Sequence, residues 1–276
     1  RSDSGGTVTG RFSYNHPNLQ QIPSRGQFAQ DIRKIFIPET GEYWLKADYS
    51  QQEPRLLTHF ARLVDQPGSG EVQKAYLEKD LDFHQQTADM AGVQRNLAKT
   101  IGLGVMYGMG YHKLARELDM EPQEAKTMLQ DFHAKVPFMK GMLEAVMNRA
   151  NSKGVIRTLL GRKCRFDLWE PTQWGVHKAL PLNQAQTEYG MAIKRAYTYK
   201  ALNRLIQGSA ADQTKKAMVD VYEEMGIIPL IQVHDELDCS VKSEIEAQKI
   251  KKIMENCIEL EVPSKVDINL GESWGA

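Results

Sequence analysis

Cysteine is scarce in this chain: Cys164, Cys239 and Cys257 are the whole set among 276 residues. None forms a Cys-x-x-Cys pair and no zinc-like spacing occurs, which excludes a zinc ribbon or finger. An odd, sparse set of cysteines points to a reducing, cytosolic setting. Net charge is also missing, because 35 basic and 35 acidic side chains cancel. Bulk electrostatics therefore name no polyanion or membrane partner, and any polyanion site must come from local clustering. No apolar run approaches a membrane span, which excludes a membrane-embedded reading, and no signal peptide opens the chain. Repeats and low-complexity linkers are absent too. The chain opens on Arg1 rather than Met, the expectation for a fragment of a longer chain or one piece of a split protein.

What is present is ordinary globular composition, 41% hydrophobic and 25% charged, enough for one large domain or two smaller ones. Residues 1–30 read as extended loop. Residues 33–48, "RKIFIPETGEYWLKAD", read as two strands around a Pro-Glu-Thr-Gly turn. Helical spacing appears over 50–63 and through most of 70–150, with Gly108–Gly110 as punctuation. "GVIRTLLGRKCRF" (154–166) reads as a hairpin, and 183–225 as long and helical, interrupted at Gly190 and Gly208. Ile227 to Val233 reads as a buried strand, broken by His234, Asp235 and Glu236 before Leu237, Cys239 and Val241 alternate. A helix over 243–259 and the strand "SKVDINL" close the chain. The order suggests a helical middle inserted between two parts of one sheet-containing domain.

Two carboxylates draw attention. Asp48 ends the strand "YWLKAD", and Asp235 sits at the tip between two strand-like runs. If those strands are neighbours, the acids converge. Two such anions repel by roughly 4 kcal/mol at 4 Å in an effective dielectric near 20. A divalent cation removes that cost. Oxygen ligands without a His/Cys cluster favour magnesium or manganese over zinc. Two ions about 3.5–4 Å apart form the usual clamp for in-line phosphoryl displacement. Against this, a lone strand-end Asp is most often a solvated turn residue, although the apolar flanks of Asp235 weaken that reading.

"QRNLAKTIGLGVMYGMG" (94–110) carries Arg95, Lys99, Leu103 and Tyr107 at four-residue intervals, one drifting stripe on a helix. The cations suit phosphates, and the apolar and aromatic groups suit a sugar or base. An amphipathic helix with its cations in solvent fits the spacing equally well. Gly102 and Gly104 cost the helix about 1 kcal/mol each against alanine, which suggests something approaching the backbone closely. "GLGVMYG" is not a dinucleotide fingerprint, since no strand precedes it.

Taken in order, six stretches resemble the family A, DNA polymerase I-type, DNA polymerases over nearly the whole chain. "TGRFSYNHPNLQQIP" (9–23) resembles the family's TGR stretch, "ADYSQQEPRLLTHFA" (47–61) motif A, and "DFHQQTA" (82–88) its D-I-H segment. "RNLAKTIGLGVMYG" (95–108) resembles motif B, "NRLIQGSAAD" (203–212) the QG-T/S-AAD segment, and "QVHDEL" (232–237) motif C. The resemblance implies an α+β fold: an antiparallel palm sheet flanked by helices, with an inserted, mainly helical fingers subdomain and no thumb. It divides the chain into palm (1–60), fingers (61–185) and palm (186–276).

The resemblance also implies template-directed DNA synthesis. Asp48 and Asp235 would bind two Mg2+ ions, or Mn2+ in their place, with the Tyr49 carbonyl assisting and Glu236 as a supporting acid. Arg95, Lys99 and His84 would hold the triphosphate of the incoming dNTP. Leu103 and Tyr107 would meet its sugar and base, and Gln52 and Glu53 would line the nucleotide site, Glu53 closing the space at the sugar 2′ position. Arg11 and Gln207 would contact the minor groove of a DNA primer–template, and Asn18, Arg25, Asn203 and His234 the strands near the junction. Single residues have plainer readings: His84 as a structural histidine, Gln207 as a helix polar residue, Glu53 as favoured at a helix N-terminus. Leu103 stands where the family has Phe or Tyr, Gly102 where it has Asn, and Gln52 and Pro54 replace Ile and Leu. Such changes resemble viral members more than bacterial ones. A thumb and a 3′–5′ exonuclease are expected on a separate chain or a preceding region. The expected compartment is cytoplasmic: the nucleoid, or the infected host cell for a viral protein. Two other functions fit the same residues: a primer–template binding module without catalysis, and a metal-dependent phosphodiesterase that has no need of Lys99.

Overall fold

A computed structural model describes residues 6–24, 26, 28–79, 81–173, 175 and 178–276. Along the chain run α1 (Ala29–Arg33), β1 (Tyr43–Tyr49), α2 (Gln52–Leu63), α3 (Ser69–Glu78), α4 (Phe83–Ala91) and α5 (Arg95–Met106). Next come α6 (Tyr111–Leu118), α7 (Pro122–Lys135), α8 (Pro137–Lys153), β2 (Val155–Arg157), β3 (Lys163–Arg165), β4 (Leu168–Pro171) and β5 (Leu180–Pro181). The last are α9 (Leu182–Tyr189), β6 (Ile193–Arg195), α10 (Ala201–Met225), β7 (Ile231–Val233), β8 (Glu236–Val241), α11 (Glu244–Asn256) and β9 (Val266–Gly271). The chain divides into two compact units, Arg1–Leu56 with Gln207–Ala276, and Leu57–Ile206.

The first unit is built on an antiparallel sheet in the order β7-β8-β1-β9. Period-two alternation decides its two faces. Leu45, Ala47, Tyr49, Leu237, Cys239, Val241 and Val266 point to one side, where they pack with Ala217 and Val221 of α10 and Ala247, Ile250 and Met254 of α11. Their register partners one residue away, Trp44, Lys46 and Asp48 opposite Ser240, Asp238 and Glu236, share the other face. That face carries a smaller cluster of Trp44, Ile231 and Trp274, packed by Leu19, Ile22, Phe36 and Val233. One strand therefore separates a dry face from a half-polar one. Ser243 caps α11 by accepting a hydrogen bond from the Glu246 amide.

In the second unit α4, α5 and α8 pack around Phe83, Ile101, Phe138 and Met139, all essentially buried, with Phe83 and Phe138 edge-to-face at 6.2 Å. A hairpin of β2 and β3 forms as expected, and β4 pairs with both β5 and β6. The glycines of α5 serve protein packing. A Cβ on Gly104 would strike the Met109 side chain, and one on Gly102 would touch Met139 Cε at 3.6 Å. What approaches the backbone closely there, as expected, is protein: two methionine side chains.

Three expected elements differ. Residues 33–48 give one strand, not two: Ala29–Arg33 is helical, and the Pro-Glu-Thr-Gly turn leads into β1 with Gly41 at φ 82°. Residues 183–225 are interrupted, since Gly190 at φ 72° ends α9 and Ile193–Arg195 joins β4 before α10 begins. The run from Ile227 is strand only over Ile231–Val233, and Ile228 is 70% exposed. Apolar composition suggests burial there, but the ladder with β8 stops at Ile231 and only the Leu230 amide reaches beyond it, donating to the Asp238 carbonyl at 2.7 Å. Residues 6–30 also hold a short 3-10 turn at Leu19–Gln21. Among the described residues no helix is long and apolar enough to cross a membrane.

Leu45 is fully buried in the larger cluster. Leu45→Ala should cost about 2–5 kcal/mol of unfolding free energy in urea titrations. Gly108 sits at φ 71° with the Tyr199 carbonyl 2.5 Å from where a Cβ would be. Gly108→Ala should therefore lower the melting temperature more than Gly161→Ala, whose Cβ would meet nothing.

Candidate active site

In the sheet, register decides which acids meet. Asp48 pairs with Glu236 on one side and with Asp267 on the other. Directly opposed residues in an antiparallel pair present side chains to the same face about 4.5–5.5 Å apart at Cβ. Asp235 lies in the two-residue loop between Val233 and Glu236, with His234 at φ 56°. The Tyr49 amide donates to the Asp235 carbonyl at 3.3 Å, tying that loop to the end of β1. The expected convergence of Asp48 and Asp235 is thus built by the strand order. Asp267 joins them, an acid that the sequence reading passed over. Its alternation in "VDINL" was visible, but not which strand it would face.

The charge is poorly balanced. Although Asp48 is exposed as a residue, the protein around its carboxyl, and then Asp235, Glu236 and Asp267, push its pKa from 3.8 up to about 7. Burial also raises Asp235, against its own backbone hydrogen bond and the Arg11 and His234 charges. Lys265 approaches Asp267 at 3.9 Å. Among the described residues no three His, Cys, Asp or Glu side chains gather into a protein-only metal cage. A magnesium ion asks for less, one or two carboxylates with water and substrate phosphates completing the shell. Hard oxygen donors that repel one another fit such an ion. Tyr49 sends its side chain the other way, its hydroxyl donating to the Met254 carbonyl at 2.7 Å.

Around this acid end, Arg11 pairs with Glu53. Asn18 caps the turn at Leu19–Gln21 by accepting from the Gln20 amide at 3.2 Å. The His234 carbonyl accepts from Gln232 Nε2 at 2.6 Å, and Gln207 is half-buried on α10. Gln52 departs from expectation. It is 4% exposed and its amide donates to the Ala210 carbonyl, Gln213 Oε1 and Thr214 Oγ1 at 3.1–3.3 Å. A polar group is accommodated inside because α10 offers it partners, which makes Gln52 an interior residue of this unit. Arg25 lies outside the described residues.

In the second unit, Asp82 organises the cations. It caps α4 by accepting from the His84 and Gln85 amides, and it takes the Arg95 guanidinium at 2.6–2.7 Å. Burial works against ionisation of Asp82, but the bonds from Arg95 and the two amides carry its pKa below the ordinary carboxylate value. The start of α4 is thereby fastened to the start of α5. His84 sits close enough to Lys99 and Arg95 that burial, and then their charges, lower its pKa, and its Nδ1 is buried without a partner. Arg95, Lys99 and Tyr107 are exposed and Leu103 half-exposed, while Ala98, Ile101 and Val105 face the core. The stripe read from spacing is the solvent face of α5. Asn203 is half-buried on α10 in this unit. Asp82 was missed as a site residue, though an Asp just before a helical run is a legible cap signal.

A mixed α/β chain with an antiparallel sheet and acids gathered at one end of its central strands has the build of a polymerase domain. The family model described as DNA polymerase family A matches residues 2–276, and the chain belongs to that family. It is 38% identical to a DNA-directed DNA polymerase of Pseudomonas phage M6, over 99% of this chain and 44% of that protein. It is 34% identical to the thermostable DNA polymerase I of Thermus aquaticus, over 99% of this chain and 32% of that one. The chain thus spans less than half the length of these curated relatives. Its structure matches the POL domain of Pol1 from M. smegmatis, solved in complex with DNA primer–template and dNTP. That match has a TM-score of 0.78 and 29% identity, covering 98% of this chain and 47% of that one.

Asp48 generates a pH signature. Its folded carboxyl keeps its proton to about pH 7, whereas the ordinary value is 3.8. The stability it contributes is therefore full below about pH 4 and is lost as pH rises through 7. In metal-free buffer Asp48→Asn should melt above the parent at pH 8 and with it near pH 4, and magnesium should narrow the gap. A gap independent of pH would contradict the crowding of acids at this end of the sheet.

Proposed function

We propose that the chain carries out template-directed DNA synthesis, adding deoxynucleotides to a primer 3′-hydroxyl. The carrying observation is the crowding of Asp48 by Asp235, Glu236 and Asp267, inside a chain that belongs to the DNA polymerase A family. Asp48 and Asp235, with the Tyr49 carbonyl, would hold two Mg2+ ions, and Mn2+ could substitute. When bound, these ions supply Lewis-acid activation of the primer hydroxyl and charge stabilisation of the departing pyrophosphate.

The remaining roles fall to side chains. Arg95 and Lys99 bind the triphosphate as fixed cations and stabilise the charge that develops on it, and Lys99 gives its proton to pyrophosphate. His84, kept neutral by burial and by its cationic neighbours, offers a hydrogen bond to the same phosphates without adding charge. Leu103 and Tyr107 meet the nucleotide's sugar and base. Glu53, aligned by Arg11, closes the space beside the sugar 2′ carbon and favours deoxyribonucleotides. Gln207 and Arg11 read minor-groove acceptors that every correct pair presents, and Asn18, Arg25, Asn203 and His234 contact the strands near the junction. Positioning and electrostatics carry the reaction, with no covalent intermediate.

Primer extension with magnesium tests the reading. Asp235→Ala should lower kcat by at least about 1,000-fold, the scale of losing a principal transition-state contact. Near-normal extension by that variant would remove the assignment. Lys99→Ala should abolish extension, whereas a phosphodiesterase using the same acids would keep its hydrolysis. Leu103→Phe restores a flat face and should lower KM for dNTP by about 5-fold or more, since a base–aromatic stack contributes about 1–3 kcal/mol.

A further inference from the structure

Asp238 lies one strand repeat beyond Glu236, on the same face of β8. It is 0% exposed, an extreme position for an acid. Its Oδ1 accepts a hydrogen bond from Trp44 Nε1 at 2.8 Å. Its Oδ2 is buried and accepts no hydrogen bond from the protein, while the Glu236 carboxyl lies within hydrogen-bonding reach of Asp238. Glu236 is held in a parallel way, accepting from Trp274 Nε1 at 3.2 Å. The two indoles stack, 6.2 Å apart and 25° from parallel. A stacked tryptophan pair thus holds two successive acids of one strand, one bond to each.

We propose that Asp238 is a positioning residue, a neutral carboxylic acid whose Oδ2 proton is directed to the Glu236 carboxylate and holds it in place beside Asp48 and Asp235. The inference rests on the polymerase reading for its consequence in catalysis. Lys46 stands opposite Asp238 on β1, but its ammonium is engaged by the carbonyls of Trp274 at 3.3 Å and Ala276 at 2.7 Å. Asp48 and Glu236 share the face, and neither brings a cation to Asp238. Glu42 is bound by Ser240 Oγ at 2.6 Å, and the Arg33 guanidinium lies over the Trp274 ring at 4.1 Å. From β7 come Ile231 and Val233, which carry no charge. A buried carboxylate oxygen without a partner is costly, and a protonated one in that place is a donor facing an anion. Burial first, and then the Glu236 charge, push the Asp238 pKa to about 8 against the pull of the Trp44 bond.

The test compares Asp238→Asn and Asp238→Leu with the parent in primer extension from pH 6.5 to 9.5. Asparagine can accept from Trp44 and donate to Glu236, so it should keep kcat within about 2-fold and lose the parent's decline above about pH 8. Leucine fills the space without a donor. It should lower kcat about 10-fold, leave KM for dNTP within about 2-fold, and melt no lower than the parent, because replacing a buried acid by an apolar group is commonly neutral or stabilising. Parental kcat and pH profile in Asp238→Leu would overturn the proposal, as would an equal loss in both variants. Carbon-13 carboxyl NMR gives a reading independent of activity. Asp238 should be protonated at pH 7, and the Glu236 resonance should move in Asp238→Leu but not in Asp238→Asn. A carboxylate at Asp238 at pH 7 sinks the proposal even in a chain that extends primers. A protonated Asp238 with the expected Glu236 shifts, in a chain that extends none, supports the hydrogen bond and overturns the polymerase reading instead.

Discussion

The constraint on which this molecule depends is like-charge crowding at the end of β1. Strand order β7-β8-β1-β9 leaves Asp48 no choice of neighbours: Glu236 on one side, Asp267 on the other, and the loop of Asp235 bonded to the next amide. Folding alone does not want this arrangement. It persists because the opposite face of the same strands, Leu45, Ala47, Leu237 and Cys239, is buried against α10 and α11. A one-residue slip would turn the apolar set outward and the acids inward. The core thus holds the acids together against their repulsion, and a hard divalent cation is the natural relief.

A second arrangement repeats the logic with the opposite sign. Asp82 caps α4 and grips Arg95, so a helix cap and an ion pair together gather Arg95, Lys99 and His84. Exposed ion pairs contribute little stability, and the consequence here is placement. Burial and the two neighbouring cations hold the His84 pKa down. Polar groups elsewhere were drawn inward where partners existed, as with Gln52 between α2 and α10. The same physical rule, that a buried polar group needs a partner, makes Gln52 structural and leaves Asp238 Oδ2 conspicuous.

Membership of the DNA polymerase A family rests on a match across residues 2–276, and six ordered motifs carry the resemblance in the sequence itself. The stripe on α5 does face solvent, as either of its readings required. Its glycines are explained by methionine packing. Glu53 turns to Arg11, which aligns two residues that the motifs treat separately.

Local chemistry made part of this structure legible. Alternation in "YWLKADY" and "ELDCSV" determined the faces of β1 and β8, the four-residue spacing from Arg95 determined the exposed edge of α5, and Ser243 and Asp82 marked helix starts. Such signals are intrinsic to neighbouring residues. Whether an apolar run becomes a strand depends on having a partner, so Ile227 to Leu230 stayed outside β7 and only one strand formed between Arg33 and Asp48. Which acids meet is likewise non-local: Asp267 lies 219 residues from Asp48 in sequence, by the numbering of the pair, and only antiparallel pairing of β1 with β9 joins them. The sequence by itself determined each strand's faces and each helix's edge. Tertiary structure decided strand order and partner choice, because register is set by burying one face of a sheet whose strands come from distant parts of the chain.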